Sequence, residues 1–186
     1  LCALGVALDM ERGFIRVNER FETSLPGVYA IGDAIGGMML AHVGSAQGLT
    51  VVHAIAGEEA PLCLDAIPAC VYVSPEIASV GLTQADCQQR GIEVKVGKAL
   101  MGANGRTLIA GGQRGFIKVV VSAENGRVLG AQLMCERATD MIDSFTVAIA
   151  NGLTATQLMR AVRPHPTFLE AVGEALGALE GRAIHS

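Results

Sequence analysis

Phe116-Ile117-Lys118-Val119-Val120-Val121, Asn125-Gly126 and the run from Arg127 to Met134 form the stretch whose reading decides the fold. Two β-rich runs around Asn-Gly predict an antiparallel hairpin, because the tight turn needs positive φ values that Asn and Gly adopt cheaply. Working outward, Cys70–Val73 and Ile77–Val80 read as strands either side of Ser74-Pro75, and Glu93–Val96 as another. Thr83-Gln84-Ala85-Asp86 and Thr154-Ala155-Thr156-Gln157 carry capping-box spacing, so each opens a short helix, and Gly91 closes the first. Ala138, Met141, Ile142, Phe145, Ala148 and Ile149 recur at helical spacing and predict one amphipathic helix stopped by Asn151-Gly152. A final helix places Phe168, Leu169, Val172, Ala175, Leu176 and Leu179 on one face and ends at Gly181. Antiparallel strands followed by helices predict an α+β domain, an antiparallel sheet flanked by helices.

Upstream of Glu58-Glu59-Ala60-Pro61 the pattern differs, so the chain divides into residues 1–63 and 64–186. Phe14–Val17 reads as a short strand and Thr23–Gly27 as a turn. Val28–Ile31 reads as a compact buried strand that delivers Gly32-Asp33, and a helix is expected over residues 44–56, with Gly57 as its stop.

The 186 residues are 51% hydrophobic and 17% charged, with a net charge of −4, a composition that fills a core rather than a disordered segment. Basic residues are scattered and aromatics make up 4% with no Trp, so neither a nucleic-acid surface nor a base-stacking platform is encoded. No apolar run approaches the roughly 18 residues of a membrane span. Leu1-Cys2-Ala3-Leu4-Gly5 lacks the basic region of a signal peptide and reads as the middle of a longer chain. Five dispersed cysteines with no CxxC or CxxxxC predict buried free thiols in a reducing, cytoplasmic compartment. No histidine spacing indicates a metal site.

Two segments bear chemistry. Gly32-Asp33 at a strand end is either a tight turn capped by its Asp or a place where backbone and carboxylate meet a ligand. In Pro164-His165-Pro166-Thr167, both prolines restrict the backbone around His165. Pro166 fits the first position of the final helix, with Glu170 a turn further in, where its carboxylate reaches back toward the imidazole. Such a histidine serves either as a cap or packed ring, or as a carboxylate-oriented acid–base. His42, His53 and His185 have no such framing; His53 is expected to be structural and His185 to lie in a frayed tail.

In order along the chain, Val28-Tyr29-Ala30-Ile31-Gly32-Asp33, Met39-Leu40-Ala41-His42, Ser74–Thr83, Gly115-Phe116-Ile117-Lys118, Val128-Leu129-Gly130-Ala131 and His165-Pro166-Thr167-x-x-Glu170 resemble one family. The chain is similar to the C-terminal part of class I pyridine nucleotide–disulfide oxidoreductases, most of all the dihydrolipoamide dehydrogenases. The resemblance implies that residues 1–63 are a remnant of an α/β FAD-binding domain and that 64–186 are an interface domain building a homodimer. It implies cofactor contacts at Gly32, Asp33, Met39, Leu40, Ala41 and His42, with Asp33 at the ribityl or phosphate end of FAD. His165, oriented by Glu170, is implied to be the acid–base for a dithiol substrate at the partner subunit's flavin and redox disulfide. Electrons would pass through FAD to NAD, with a 2-oxoacid dehydrogenase complex as a further partner. GxGxxG, CxxxxC and the NAD-binding domain are absent from the chain, so in isolation it is expected to be inactive. Arg163, Val43 and Asp140 stand where these enzymes commonly carry His, Lys and Glu. The alternatives are another disulfide reductase, of glutathione or coenzyme A type, and a purely structural dimerisation module.

Overall fold

In the computed structural model, which describes residues 2–9, 11–112 and 114–185 (of Cys2 the backbone alone), the Asn125-Gly126 turn joins two strands of a five-stranded antiparallel sheet. Gly126 takes a φ of 71°, and Arg127 N–H donates to Asn125 Oδ1 at 3.1 Å. The strands are β1 (Ala69–Val71), β2 (Glu76–Gly81), β3 (Val94–Leu100), β4 (Phe116–Ser122) and β5 (Val128–Cys135), in the order β1-β2-β5-β4-β3. A bulge interrupts the β4–β5 register between Val120 and Val121.

The pleat sorts side chains by period two. Ala78 and Val80 of β2, Ala131 and Leu133 of β5, Ile117 and Val119 of β4, and Ala99 of β3 lie opposite one another on one face and are all buried. Helices α4 (Ala138–Met141), α5 (Asp143–Ala150) and α7 (Glu170–Ala178) cover that face, bringing Phe145, Ile142, Val172 and Leu176 into the same core. Gly97 lets α7 approach: a Cβ there would stand 2.0 Å from the Ala175 carbonyl oxygen. On the opposite face, Val71, Ile77, Met134, Phe116 and Leu100 form one apolar row across all five strands. Val71, Ile77 and Leu100 of that row are exposed.

Both capping boxes are present. Thr83 caps α2 (Gln84–Gln89) and Thr154 caps α6 (Ala155–Met159), each hydroxyl accepting from the N3 backbone while the N3 side chain accepts from the cap. The single amphipathic helix expected over residues 138–149 is instead two. Phe145 N–H donates to Ile142 O, three residues back, which tightens the turn between α4 and α5. A short helix not read from the sequence, α3 (Gly105–Ile109), follows a 3-10 turn over Met101–Ala103.

Two compact units result, Leu1–Leu64 and Asp65–Ser186; the sheet belongs to the second. The first is held by isolated bridges (Leu8↔Ile15, Val17↔Thr23, Glu22↔Tyr29), a 3-10 turn at Gly32–Ile35 and helix α1 (Ala41–Ala56). The expected buried strand Val28–Ile31 is a correction: Val28 and Ile31 are 38% and 37% exposed, and only Tyr29 makes a bridge. The turn takes up the pairing, with Val28 N–H donating to Leu25 O and Gly27 N–H to Glu22 Oε1. Helix α1 starts at Ala41, three residues before the expected start, and ends at Gly57 with φ 75°. Cys87 and Cys135 are buried as expected, but Cys63 is exposed; the Cys2 side chain lies outside the described residues. Among the described residues, no helix is long and apolar enough to cross a membrane.

Candidate functional site

Helix α7 begins at Glu170, so neither the expected first-position Pro166 nor a Glu170 one turn inside the helix is found. Phe168 and Leu169 make a tighter turn first, their carbonyls accepting from Ala171 and Val172 N–H. Glu170 therefore stands at the mouth of the helix. Its Oε2 accepts Thr167 N–H at 2.8 Å, and its Oε1 lies 2.8 Å from His165 Nδ1. The Thr167 hydroxyl turns away and donates to Pro164 O at 2.7 Å. The carboxylate thus spans the turn and ties the imidazole to the backbone that carries it.

Electrostatics fixes the proton on the ring. The Thr167 N–H, then the imidazole, hold the Glu170 carboxyl below its ordinary value, so it is ionised at neutral pH and accepts only. Nδ1 must then carry the hydrogen, which leaves Nε2 of the neutral ring with its lone pair. That side chain is 78% exposed, against 31% for Glu170. An oriented imidazole with an open Nε2 can take a proton from a group arriving from solvent and return it.

Two braces steady this loop, and both were missed in the sequence. Asn104, buried, caps α3 by accepting Thr107 N–H at 2.9 Å, and its Nδ2 donates to Thr167 O at 3.0 Å across 63 residues. Asn-Gly-Arg before a short apolar run signals such a cap, but nothing local announces the contact with Thr167. Arg163 donates to Ala161 O at 3.0 Å and Leu158 O at 3.3 Å, holding the approach to Pro164.

His185 is a further correction. Its Nδ1 lies 3.1 Å from Glu174 Oε1, and its backbone N–H donates to Glu174 Oε2 at 3.0 Å, so this segment is tied to α7 rather than frayed. His165, Glu170, Glu174 and His185 line one cleft of about 240 Å³, together with Ala99, Leu100, Ala103 and Ala171. His53 also has a carboxylate, Glu58 Oε2 at 3.0 Å. Among the described residues no cluster of three His, Cys, Asp or Glu is placed to hold a metal. Burial, then Glu76 and Glu136, push the Cys135 thiol up to about 12, which leaves it a protonated core residue.

In the first unit, Gly32 takes a φ of 65° and lies against Gly44 of α1, where a Cβ would stand at ordinary contact distance, 3.5 Å, from the Gly44 Cα; its N–H donates to Gln47 Oε1 at 2.7 Å. Asp33 is exposed in the 3-10 turn. Met39 is exposed, Leu40 caps α1, and Ala41 and His42 sit exposed in the helix's first turn.

The sequence profile of the pyridine nucleotide-disulphide oxidoreductase dimerisation domain matches residues 67–176, and a second profile, described as pyridine nucleotide-disulphide oxidoreductase, matches residues 2–48. Dihydrolipoyl dehydrogenase of Zymomonas mobilis is 42% identical over 98% of this chain and 39% of its own length. That of Thermus scotoductus is 44% identical over 97% of this chain and 39% of its own length. The crystal structure of LpdA from Mycobacterium tuberculosis superposes with a TM-score of 0.86 at 28% identity, over 92% of this chain and 38% of that one. The HOCl-induced flavoprotein disulfide reductase RclA from Escherichia coli gives 0.85 at 26% identity, over 93% of this chain and 40% of its own. The chain thus spans about two fifths of the length of these relatives.

Proposed function

The chain belongs to the pyridine nucleotide-disulphide oxidoreductase family, and from that premise we propose that it is part of a flavoenzyme that oxidises dihydrolipoamide with NAD. In this reading residues 1–63 are a segment of the FAD-binding domain, and residues 64–186 the interface domain of a homodimer. The observation that carries it is the 2.8 Å bond between His165 Nδ1 and Glu170, which leaves Nε2 open on an exposed loop.

His165 Nε2 takes the proton of an incoming thiol. The thiolate so formed attacks a disulfide of the partner subunit: a new S–S bond forms, the old one breaks, and its leaving sulfur departs as thiolate. Glu170 fixes the tautomer and stabilises the imidazolium. Thr167, through its N–H, keeps that carboxylate charged and in place.

The first unit fits the hydroxyl- and phosphate-bearing part of FAD. Gly32 is half-buried and carries no side chain, Asp33 presents an exposed carboxylate, and Met39, Leu40, Ala41 and His42 flank the N-terminus of a 16-residue helix, whose dipole favours an anion. FAD, when bound, supplies the two-electron acceptor from which NAD is reduced. The apolar row Val71-Ile77-Met134-Phe116-Leu100, exposed at Val71, Ile77 and Leu100, supports association of two copies, and the free thiols fit a cytoplasmic setting. A disulfide reductase with another substrate is the second reading, favoured by the fold shared with the E. coli enzyme.

The test is His165→Gln in the full-length enzyme, with dithiol oxidation and flavin-only dye reduction measured separately. Dithiol oxidation should fall on the order of 10²–10⁴-fold while dye reduction holds. Equal loss of both would reject the acid–base role. The 186-residue chain alone is expected to be colourless and to oxidise no dihydrolipoamide.

A further inference from the structure

Glu170 and Glu174 lie four residues apart, one helical turn along the same face of α7. Each holds an imidazole by Nδ1, and all four side chains line the one cleft. Only the first pair has a part in the reaction proposed above. The second is the better anchored: Glu174 is 19% exposed and accepts three bonds, from Ile184 N–H at 2.7 Å, His185 N–H at 3.0 Å and His185 Nδ1. Burial works against the charge of Glu174, yet these bonds outweigh it and hold the carboxyl below its ordinary value. Charge-assisted bonds of this kind are roughly twice as strong as neutral ones.

The chain is shaped to reach that carboxylate. Gly181 takes a φ of 68°, a left-handed turn that reverses the backbone off α7. Arg182 N–H then donates to Gly177 O at 2.9 Å. Gly177 leaves the path clear, since a Cβ there would press within 3.3 Å of Ala183 N and Arg182 O. The returning segment therefore runs over α7 and sets His185 at the cleft beside Glu170.

We infer that Glu174 clamps the segment Gly181–His185 onto α7, and that the His185 imidazole so held is a positioning residue, forming one wall of the cleft that guides the dithiol arm to His165. The guiding role rests on the dithiol reaction proposed above; the clamp and the wall do not. The occupant has an apolar chain, for which the cleft offers Ala103 and the end of β3 at Leu100, and a thiol to reach the imidazole. His185 shapes the approach and takes no proton from the substrate.

The full-length enzyme is compared as wild type, Glu174→Ala, Glu174→Gln and His185→Ala. Amide exchange of Ile184 and His185, read by mass spectrometry, reports the clamp; acylation of His165 by diethyl pyrocarbonate reports the wall without turnover. Glu174→Ala should speed both on the order of ten-fold. Glu174→Gln, which still offers an acceptor oxygen, should recover most of the exchange protection. His185→Ala should speed acylation of His165 while the protection of Ile184 is retained, a readout that survives if Glu174→Ala fails to fold. KM for dihydrolipoamide should rise on the order of three- to ten-fold in Glu174→Ala and His185→Ala, with kcat and dye reduction little changed. An exchange rate equal to wild type in Glu174→Ala would overturn the clamp, an acylation rate equal to wild type in His185→Ala would overturn the wall, and an unchanged KM would overturn the guiding role. A wild-type enzyme inert toward dihydrolipoamide would refute the reaction instead, leaving exchange and acylation to decide the wall.

Discussion

The two units hold themselves together in different ways. Asp65–Ser186 has a continuous core in which β2, β3, β4 and β5 each give alternate side chains to helices α4, α5 and α7. In Leu1–Leu64, short bridges and one long helix surround a few buried residues, Val6, Val43 and Val51 among them, while Leu49, Val52 and Ile55 of that helix stay exposed. An exposed apolar helix face of that kind asks for cover. In the second unit a remote residue, Asn104, braces the His165 loop through Thr167 O; the first offers backbone and a helix end.

The sharpest way to break this contrast is at the cores. Phe145→Ala, at a site with no exposure, should cost about 3–5 kcal/mol in denaturant unfolding of the second unit. Val51→Ala in the first unit should cost about 1 kcal/mol. A cost at Phe145 no larger than that at Val51 would contradict the continuous core of the second unit. A smaller effect is expected at Asn104→Ala, which removes the cap of α3 and the donor to Thr167 O. Stability should drop by about 1–2 kcal/mol, and exchange of the Thr167 amide should quicken. A loop that stays protected would show that it is held without Asn104.

The mildest effect is a titration. The folded-state pKa of Glu170 lies below its ordinary value of 4.5, so its contribution to stability is complete above that value and is lost as pH falls through the folded one. A carboxyl ¹³C titration should place the Glu170 midpoint below 4.5, and Glu170→Gln should flatten the acid limb of the stability profile. A midpoint at or above the ordinary value would remove the bonds from Thr167 and His165 as its cause.

What the sequence disclosed follows the range of the forces involved. The β4–β5 hairpin, both capping boxes and the helix stops rest on interactions within a few residues, and all were legible. So was the approach of Glu170 to His165, five residues apart. The 63-residue reach of Asn104 to Thr167 is tertiary, and no local pattern encodes it. The Glu174–His185 pair was hidden by the reversal at Gly181, which turns an apparent tail into a neighbour of the site. The buried strand expected at Val28–Ile31 failed because an apolar run states a preference for burial, and its partners must come from elsewhere.

The central claim is that Glu170 acts through His165. A double-mutant cycle on dithiol oxidation by the full-length enzyme tests it most directly, using His165→Gln, Glu170→Gln and the double variant. Glu170→Gln alone should lower the rate on the order of 10–100-fold and should add almost nothing once His165 is gone. Fully additive losses would mean that the two residues work independently, and would contradict the account.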